Sequence, residues 1–301
     1  MTLYTQVTAN RQKSGFYLVL FTALLLGVGY LAATYLDRPE LLPLAAILSI
    51  IQGFVGWYAS DTVALAASGA EPVEDAHDGG QGERLHRIVE TLCIATGLPK
   101  PRIFIIPQAG MNAFATGRDP KHAAVAVTAG LLQNMNDREV AGVLAHELGH
   151  VGNEDIRLMS LVAVLAGSIT LLGDMVARSL WWGGGRRRNN EEGGNGIGAI
   201  VMIVVLVAAP VAATLIQLAI SRKREFLADA TAVLTTRDAA GLISALRKLD
   251  EGEGAAAKVE VSRAVAHLFI ANPFGGLAGL FSTHPPIAER IAALEQGSGM
   301  R

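Results

Sequence analysis

The stretch His146-Glu147-Leu148-Gly149-His150 puts two imidazoles four residues apart, with a carboxylate next to the first. On a helix, positions i and i+4 lie on one face a turn apart, so both rings can reach one ion. Glu147 sits beside them, where it can take a proton from the water that attacks a peptide carbonyl. The bland alternative is a solvated helix face with two surface histidines. The preceding run "VAGVLA", Val140 to Ala145, is apolar and points to a buried helix instead. "NDRE", Asn136 to Glu139, resembles a capping box that would open this helix.

A catalytic zinc takes three protein ligands and keeps one position for water. No further histidine follows at short spacing. Glu154 and Asp155 are near in sequence, but the helix would have to bend to bring either back. The better candidate lies in "SRKREFLADATA", Ser221 to Ala232, where Glu225 and Asp229 are one helical turn apart. Glu225 can bind the ion, and Asp229 can hold the outer nitrogen of a ligand histidine, as metal-binding histidines usually require. Alone, the pair would read as surface acids offsetting Arg222 and Arg224. Beside a His-Glu-x-x-His, the ligand reading is preferred.

The elements that must position these residues fall into two polar blocks. "GERLHRIVETLCIATGL" reads as an amphipathic helix with Leu85, Ile88, Val89, Leu92 and Ala95 on one face. Arg102 to Pro107, Met111 to Gly117 and Ala123 to Leu132 read as strands of a small sheet. "NAFATG" is expected to be an edge strand, along which an extended peptide could add itself. Asn112, Ala113 and Phe114 are then candidate substrate contacts; the alternative places Phe114 in the core. His284, in "STHPP", is a candidate second donor to the oxyanion, with Arg290 shortly after it. Pro285 and Pro286 equally suit a helix start. His77, His86, His122 and His267 have no motif around them and read as surface or core residues.

The chain is too apolar for an ordinary soluble domain: 51% of its 301 residues are hydrophobic, with mean hydropathy +0.37. Four stretches are long enough to cross a bilayer, at Phe16 to Leu36, Leu41 to Trp57, Met159 to Ala177 and Ile197 to Ile220. The first is too long for the core of a cleaved signal and reads as a retained anchor. A short joint, "DRPE", makes the first two a tight hairpin, and a Gly-rich charged loop, 181–196, joins the other two. Asp174 in the third is costly against lipid, and Pro210 should kink the fourth. The implied plan is a transmembrane hairpin (1–60), a catalytic part with the HELGH helix (61–157), a second transmembrane pair (158–220) and a C-terminal catalytic part with the third ligand (221–301).

Arg11, Lys13 and the Arg222–Arg224 run favour the cytoplasm for both polar blocks, while Arg186, Arg187 and Arg188 argue the other way. If segments three and four continue the active-site helices, the ligands sit within roughly 15 Å of the bilayer. The net charge of −2 gives no sign of a nucleic-acid partner. The single cysteine, Cys93, excludes an internal disulfide.

Taken in order, the hydrophobic hairpin, "NAFATG", "TAGLLQNM", "HELGH", "SRKREFLADA" and "THPPIAERI" resemble the HtpX-type membrane metalloproteases, in the zinc family that also holds the CAAX prenyl proteases. The resemblance spans nearly the whole chain. It implies a mainly α fold with a small β-sheet: a four-segment integral membrane protein with a zincin-like (gluzincin) catalytic domain. It implies one Zn2+ per chain on His146, His150 and Glu225, with Glu147 as base and acid. It further implies a bacterial inner-membrane endopeptidase, active on the cytoplasmic side against unfolded or misfolded membrane-protein segments during stress. A prenyl-processing protease would need a larger intramembrane chamber. A scaffold with structural zinc would need a fourth protein ligand.

Overall fold

The computed structural model describes residues 3–35, 37–73, 80–165, 167–168, 222–251, 261, 265–271 and 285–299. The expectations for His77, Asp174, the 181–196 loop, the fourth hydrophobic stretch with Pro210, and His284 fall outside the described residues.

Two long apolar helices come first, α1 (Leu3–Tyr35) and α2 (Leu41–Tyr58). Both are long and apolar enough to cross a membrane. Their outer faces expose Phe16, Val19, Ile50 and Phe54, each more than 60% accessible, a pattern that lipid can cover and water would not favour. The helices approach closely at Gly29, where a Cβ would lie 2.2 Å from the Ala45 methyl. Residues 155–165 are helical (α7 here) and take up the start of the third hydrophobic stretch. Tyr17 and Phe21 of α1 are buried with Leu158, Leu161, Val162 and Leu165 of α7. A short helix, α3 (Ser60–Ser68), leads from α2 into the catalytic part.

The sheet is small and mixed. Its strands β1 (Glu71–Pro72), β2 (Arg102–Ile106), β3 (Ala113–Gly117) and β4 (Ala123–Thr128) run in the order β1-β2-β4-β3. Strand β2 is parallel to β4 and the other pairings are antiparallel. Strand β3 is therefore terminal, as its sequence implied. The strand expected over Ala123 to Leu132 stops at Thr128. There the Thr128 hydroxyl accepts from the Leu131 N–H at 3.3 Å and caps a short helix, α5 (Ala129–Asn134).

Helix α4 (Gln81–Thr96) buries Leu85, Ile88, Val89 and Leu92 as its periodicity required. Its fifth buried apolar residue is Cys93, not Ala95, which faces solvent; the stripe drifts toward the side where the Cys93 thiol meets the Pro99 carbonyl. Helix α6 (Asp137–Gly152) opens with the full capping box. The Asn136 side chain accepts from Glu139 N–H at 3.1 Å, and Glu139 accepts from Asn136 N–H at 2.9 Å.

Helices α8 (Arg222–Thr236) and α9 (Ala239–Glu251) pack along α6, and α10 (Ile287–Ser298) closes the end. Glycines permit the close approaches. A Cβ at Gly149 would sit 3.4 Å from the Ala228 Cα, and one at Gly142 only 3.0 Å from the Leu242 Cα. Helix α6 does not run on into the third hydrophobic stretch. Glu154, at φ 54°, breaks it in the left-handed region before α7 begins.

Candidate metal centre

Helix α6 buries His146, Glu147 and His150 almost completely. The two rings stand edge to face, centroids 4.8 Å apart. Their Nε2 atoms approach to 3.2 Å. Helix α8 brings Glu225 opposite them, with one carboxylate oxygen 3.6 Å from His146 Nε2 and the other 3.6 Å from His150 Nε2. One donor atom from each residue lies within 4.8 Å of the other two.

The outer nitrogens decide what this triangle is. His146 Nδ1 lies 2.9 Å from Asp229 Oδ1, and His150 Nδ1 lies 3.1 Å from Asp155 Oδ2. When both rings are neutral, each gives its Nδ1 proton to a carboxylate and each Nε2 presents a lone pair to the other and to a third carboxylate. Three electron-rich atoms converging in a buried space repel one another unless positive charge, from a metal ion or an added proton, lies among them. Tetrahedral zinc with bonds of about 2.0–2.2 Å holds its ligands roughly 3.4 Å apart, which matches the observed separations. The residues present fit zinc.

Charges around the triangle are unequal. Burial and the Arg290 guanidinium push His146 down to about 4 against the pull of Asp229. Burial also opposes charge on His150, but Asp155, Glu225 and Glu147 carry it up to about 9. Glu147 is raised to about 8, first by burial and then by Glu225. Burial works against ionised Asp229 as well, yet Arg290 and His146 hold it at about 2. The metal-free site thus places a positive charge on His150, where an ion would otherwise supply one.

Several placements differ from expectation. Asp229 does not serve surface arginines: Arg290, fully buried, grips it with Nε at 2.9 Å and Nη2 at 2.6 Å. Arg290 Nη2 also lies 3.3 Å from His146 Nδ1, and gives one of its two protons to the nearer Asp229 oxygen. The Nη1 nitrogen donates to the Ile270 carbonyl at 3.3 Å. The Asn112 side chain is engaged by the backbone of Ala271, donating to its carbonyl at 2.8 Å and accepting from its N–H at 3.2 Å. Phe114 is wholly buried against Phe269, a core side chain as the alternative reading held, and does not face the site. Ala113 accepts from Ile270 N–H at 3.0 Å, and the Ala115 N–H donates to Glu147. The outer edge of β3 thus faces the catalytic helix.

Sequence reasoning weighed Asp155 only as a ligand and missed its hold on His150. The Glu154 turn swings Asp155 back, and no pattern in the residues announces that turn. Glu154 itself faces Arg11.

A family model, Peptidase family M48, matches residues 80–298. The chain is 44% identical over 297 residues to the "Protease HtpX homolog" of Thermoanaerobacter pseudethanolicus, covering 98% of this chain and 97% of that protein. The protein of the same name from Tropheryma whipplei is 44% identical over 294 residues, covering 95% and 96%. That of Pyrococcus furiosus is 40% identical over 286 residues, covering 94% of each. The solved structure of S. mikatae Ste24p is a distant likeness, 19% identical at TM-score 0.49 over 97% of this chain and 67% of that one, and adds nothing to the assignment. The chain belongs to peptidase family M48. It is a metalloprotease of the HtpX type, and its apolar helices make it membrane-associated.

Proposed function

We propose that the chain is a zinc endopeptidase of the bacterial inner membrane. It cuts unfolded or misfolded segments of membrane proteins at the cytoplasmic face. The observation that carries this reading is the triangle of His146, His150 and Glu225 at ligand spacing with Glu147 alongside. His146, His150 and Glu225 hold one Zn2+, and Asp229 orients His146. A zinc ion held there would polarise the scissile carbonyl and acidify water. Glu147 takes the proton of the attacking water and passes it to the leaving amine. Burial and the nearby Glu225 carboxylate favour its protonated form, which helps it to accept that proton.

The substrate lies extended along the outer edge of β3 on the Ala115 side, since Ile270 N–H and the Asn112 side chain take up the backbone of Ala113, so chain extension is read rather than sequence. Asn112 acts there by fixing Ala271. His284 is a candidate second donor to the oxyanion, tested by a His284→Ala variant that loses turnover but keeps metal. The four-span plan, with polar blocks 61–157 and 221–301 on the cytoplasmic side, is supported by Arg11, Lys13 and Arg222–Arg224.

The test is metal analysis and casein cleavage by the purified chain in detergent, wild type beside Glu147→Gln. Zinc near one per chain in both, with cleavage in the wild type alone, supports the reading. Loss of metal in Glu147→Gln would make that residue a ligand and overturn the assignment. A prenylated C-terminal peptide cut in preference to an unfolded membrane protein would favour the prenyl-processing alternative.

A further inference from the structure

Asp155 has two carboxylate oxygens, and both are engaged. Oδ2 takes the outer nitrogen of His150 at 3.1 Å. Oδ1 accepts at 2.8 Å from the side-chain amide of Asn10, which belongs to α1, the first apolar helix. The second proton of the same amide goes to the Asn153 carbonyl at 3.1 Å. An amide nitrogen has two protons, and both are spent on the turn that carries Asp155. Asn10 is 5% exposed and Asp155 is fully buried, so solvent does not compete. The next residue, Arg11, grips Glu154 with Nε at 2.9 Å and Nη2 at 2.5 Å. Glu154 is the residue in the left-handed conformation that makes the turn. The first apolar helix therefore holds both halves of the turn, its backbone through Asn10 and its Glu154 side chain through Arg11.

We propose that Asn10 is a positioning residue of the metal site. Through Asp155 it fixes the tautomer and orientation of His150, so the membrane helix α1 completes the catalytic centre as well as anchoring it. Without Asn10 that oxygen keeps only the Arg224 guanidinium at 3.5 Å, and a carboxylate held so loosely could swing and turn the ring it orients. The chain Asn10–Asp155–His150 is continuous and buried. It rests on the reading of His150 as a zinc ligand.

The test is zinc affinity of the full-length, metal-stripped chain in detergent, measured by competition with a chromophoric zinc chelator. Asn10→Ala is expected to weaken binding about tenfold, the low end of the usual cost of losing such a partner. Asn10→Asp has nearly the same shape but cannot donate when ionised and sets a like charge against Asp155, so its loss should exceed that of alanine. If Asn10 only packs the helix in place, the isosteric aspartate would be the milder change. Asn10→Ala combined with Asp155→Asn should bind no more weakly than Asp155→Asn alone, because both act through one chain. Lys13→Ala, exposed on the same helix, should leave affinity unchanged. Affinity within twofold of wild type in Asn10→Ala, a milder loss in Asn10→Asp, or multiplying losses in the double variant would each overturn the proposal. A wild-type chain that binds no zinc would instead overturn the ligand reading beneath it.

Discussion

The two histidines of the candidate metal centre are held from opposite ends of the chain and by different chemistry. His146 leans on Asp229, which a buried cation, Arg290 of α10, clamps with two hydrogen bonds. His150 leans on Asp155, whose other oxygen meets a neutral amide from α1, with the Arg224 guanidinium farther off at 3.5 Å. One carboxylate is clamped by a guanidinium through two hydrogen bonds, and the other is held mainly by a neutral amide with its guanidinium farther off. The difference shows in the rings, since His146 is pushed down to about 4 and His150 is pushed up to about 9. Near-identical geometry at a metal can rest on unequal electrostatics, and the unequal halves should fail in different ways.

Removing what the two sides share gives the largest effect. Glu225 faces both Nε2 atoms at 3.6 Å, so Glu225→Ala should lose both zinc and proteolysis. Unchanged zinc stoichiometry in that variant would reject Glu225 as the third ligand. The next two variants separate the sides. Asp229→Asn and Asp155→Asn should each weaken zinc or turnover by about 10–100-fold. Asp229→Asn also takes both charge-assisted hydrogen bonds from the fully buried Arg290, leaving Glu225 at 4.0 Å, whereas Asp155→Asn weakens only a longer 3.5 Å contact with Arg224, so Asp229→Asn should cost more, roughly 3–5 kcal/mol of stability. Thermal melting of the metal-free proteins checks this, and equal midpoints for the two variants would erase the distinction.

A smaller effect concerns protons. At pH 7 the metal-free site carries a proton on His150, which must leave when zinc binds. Calorimetry in buffers of different ionisation enthalpy should show net proton release. Apparent affinity should rise by up to about tenfold per pH unit until the pH reaches the His150 value near 9, then level off. His146, already neutral at pH 7, adds nothing to that slope. A pH-independent affinity would mean that His150 is not the charged ring. The smallest change should come from Arg138→Ala, which breaks an exposed pair with Asp238 away from both histidines and should leave zinc affinity unchanged.

What could be read from the residues was local. The i, i+4 histidines, the capping box at Asn136 and the alternating strands each announce themselves within a few positions, because one hydrogen-bonded turn or one pleat sets them. Glu225 and Asp229 were legible as a pair, since their spacing repeats that of the histidines. Arg290 was visible only as a basic residue after a proline pair, and its destination depends on how α10 docks on α8. Asn10 and Asp155 were not legible as partners at all. They are 145 residues apart and meet through a left-handed turn at Glu154, where glutamate carries no signal for that conformation. The bonds of the Asn112 side chain to Ala271 were not legible for a related reason. A polar residue at a strand start next to a site looks free in sequence, and the Ala271 backbone claims it only once the chain has folded back.

The spread of the site along the chain has a consequence for its making. HELGH is synthesised roughly 75 residues before Glu225, and Arg290 comes later still. At about 5–20 residues per second, a nascent chain holds its two histidines for on the order of 4–15 seconds before the third metal-facing carboxylate exists. During that interval it has the recognisable protease motif but no closed cage and no cation behind Asp229. On the proposed ligand set, a growing chain of this design would be silent toward any polypeptide around it, itself included, until its own C-terminal helices had docked.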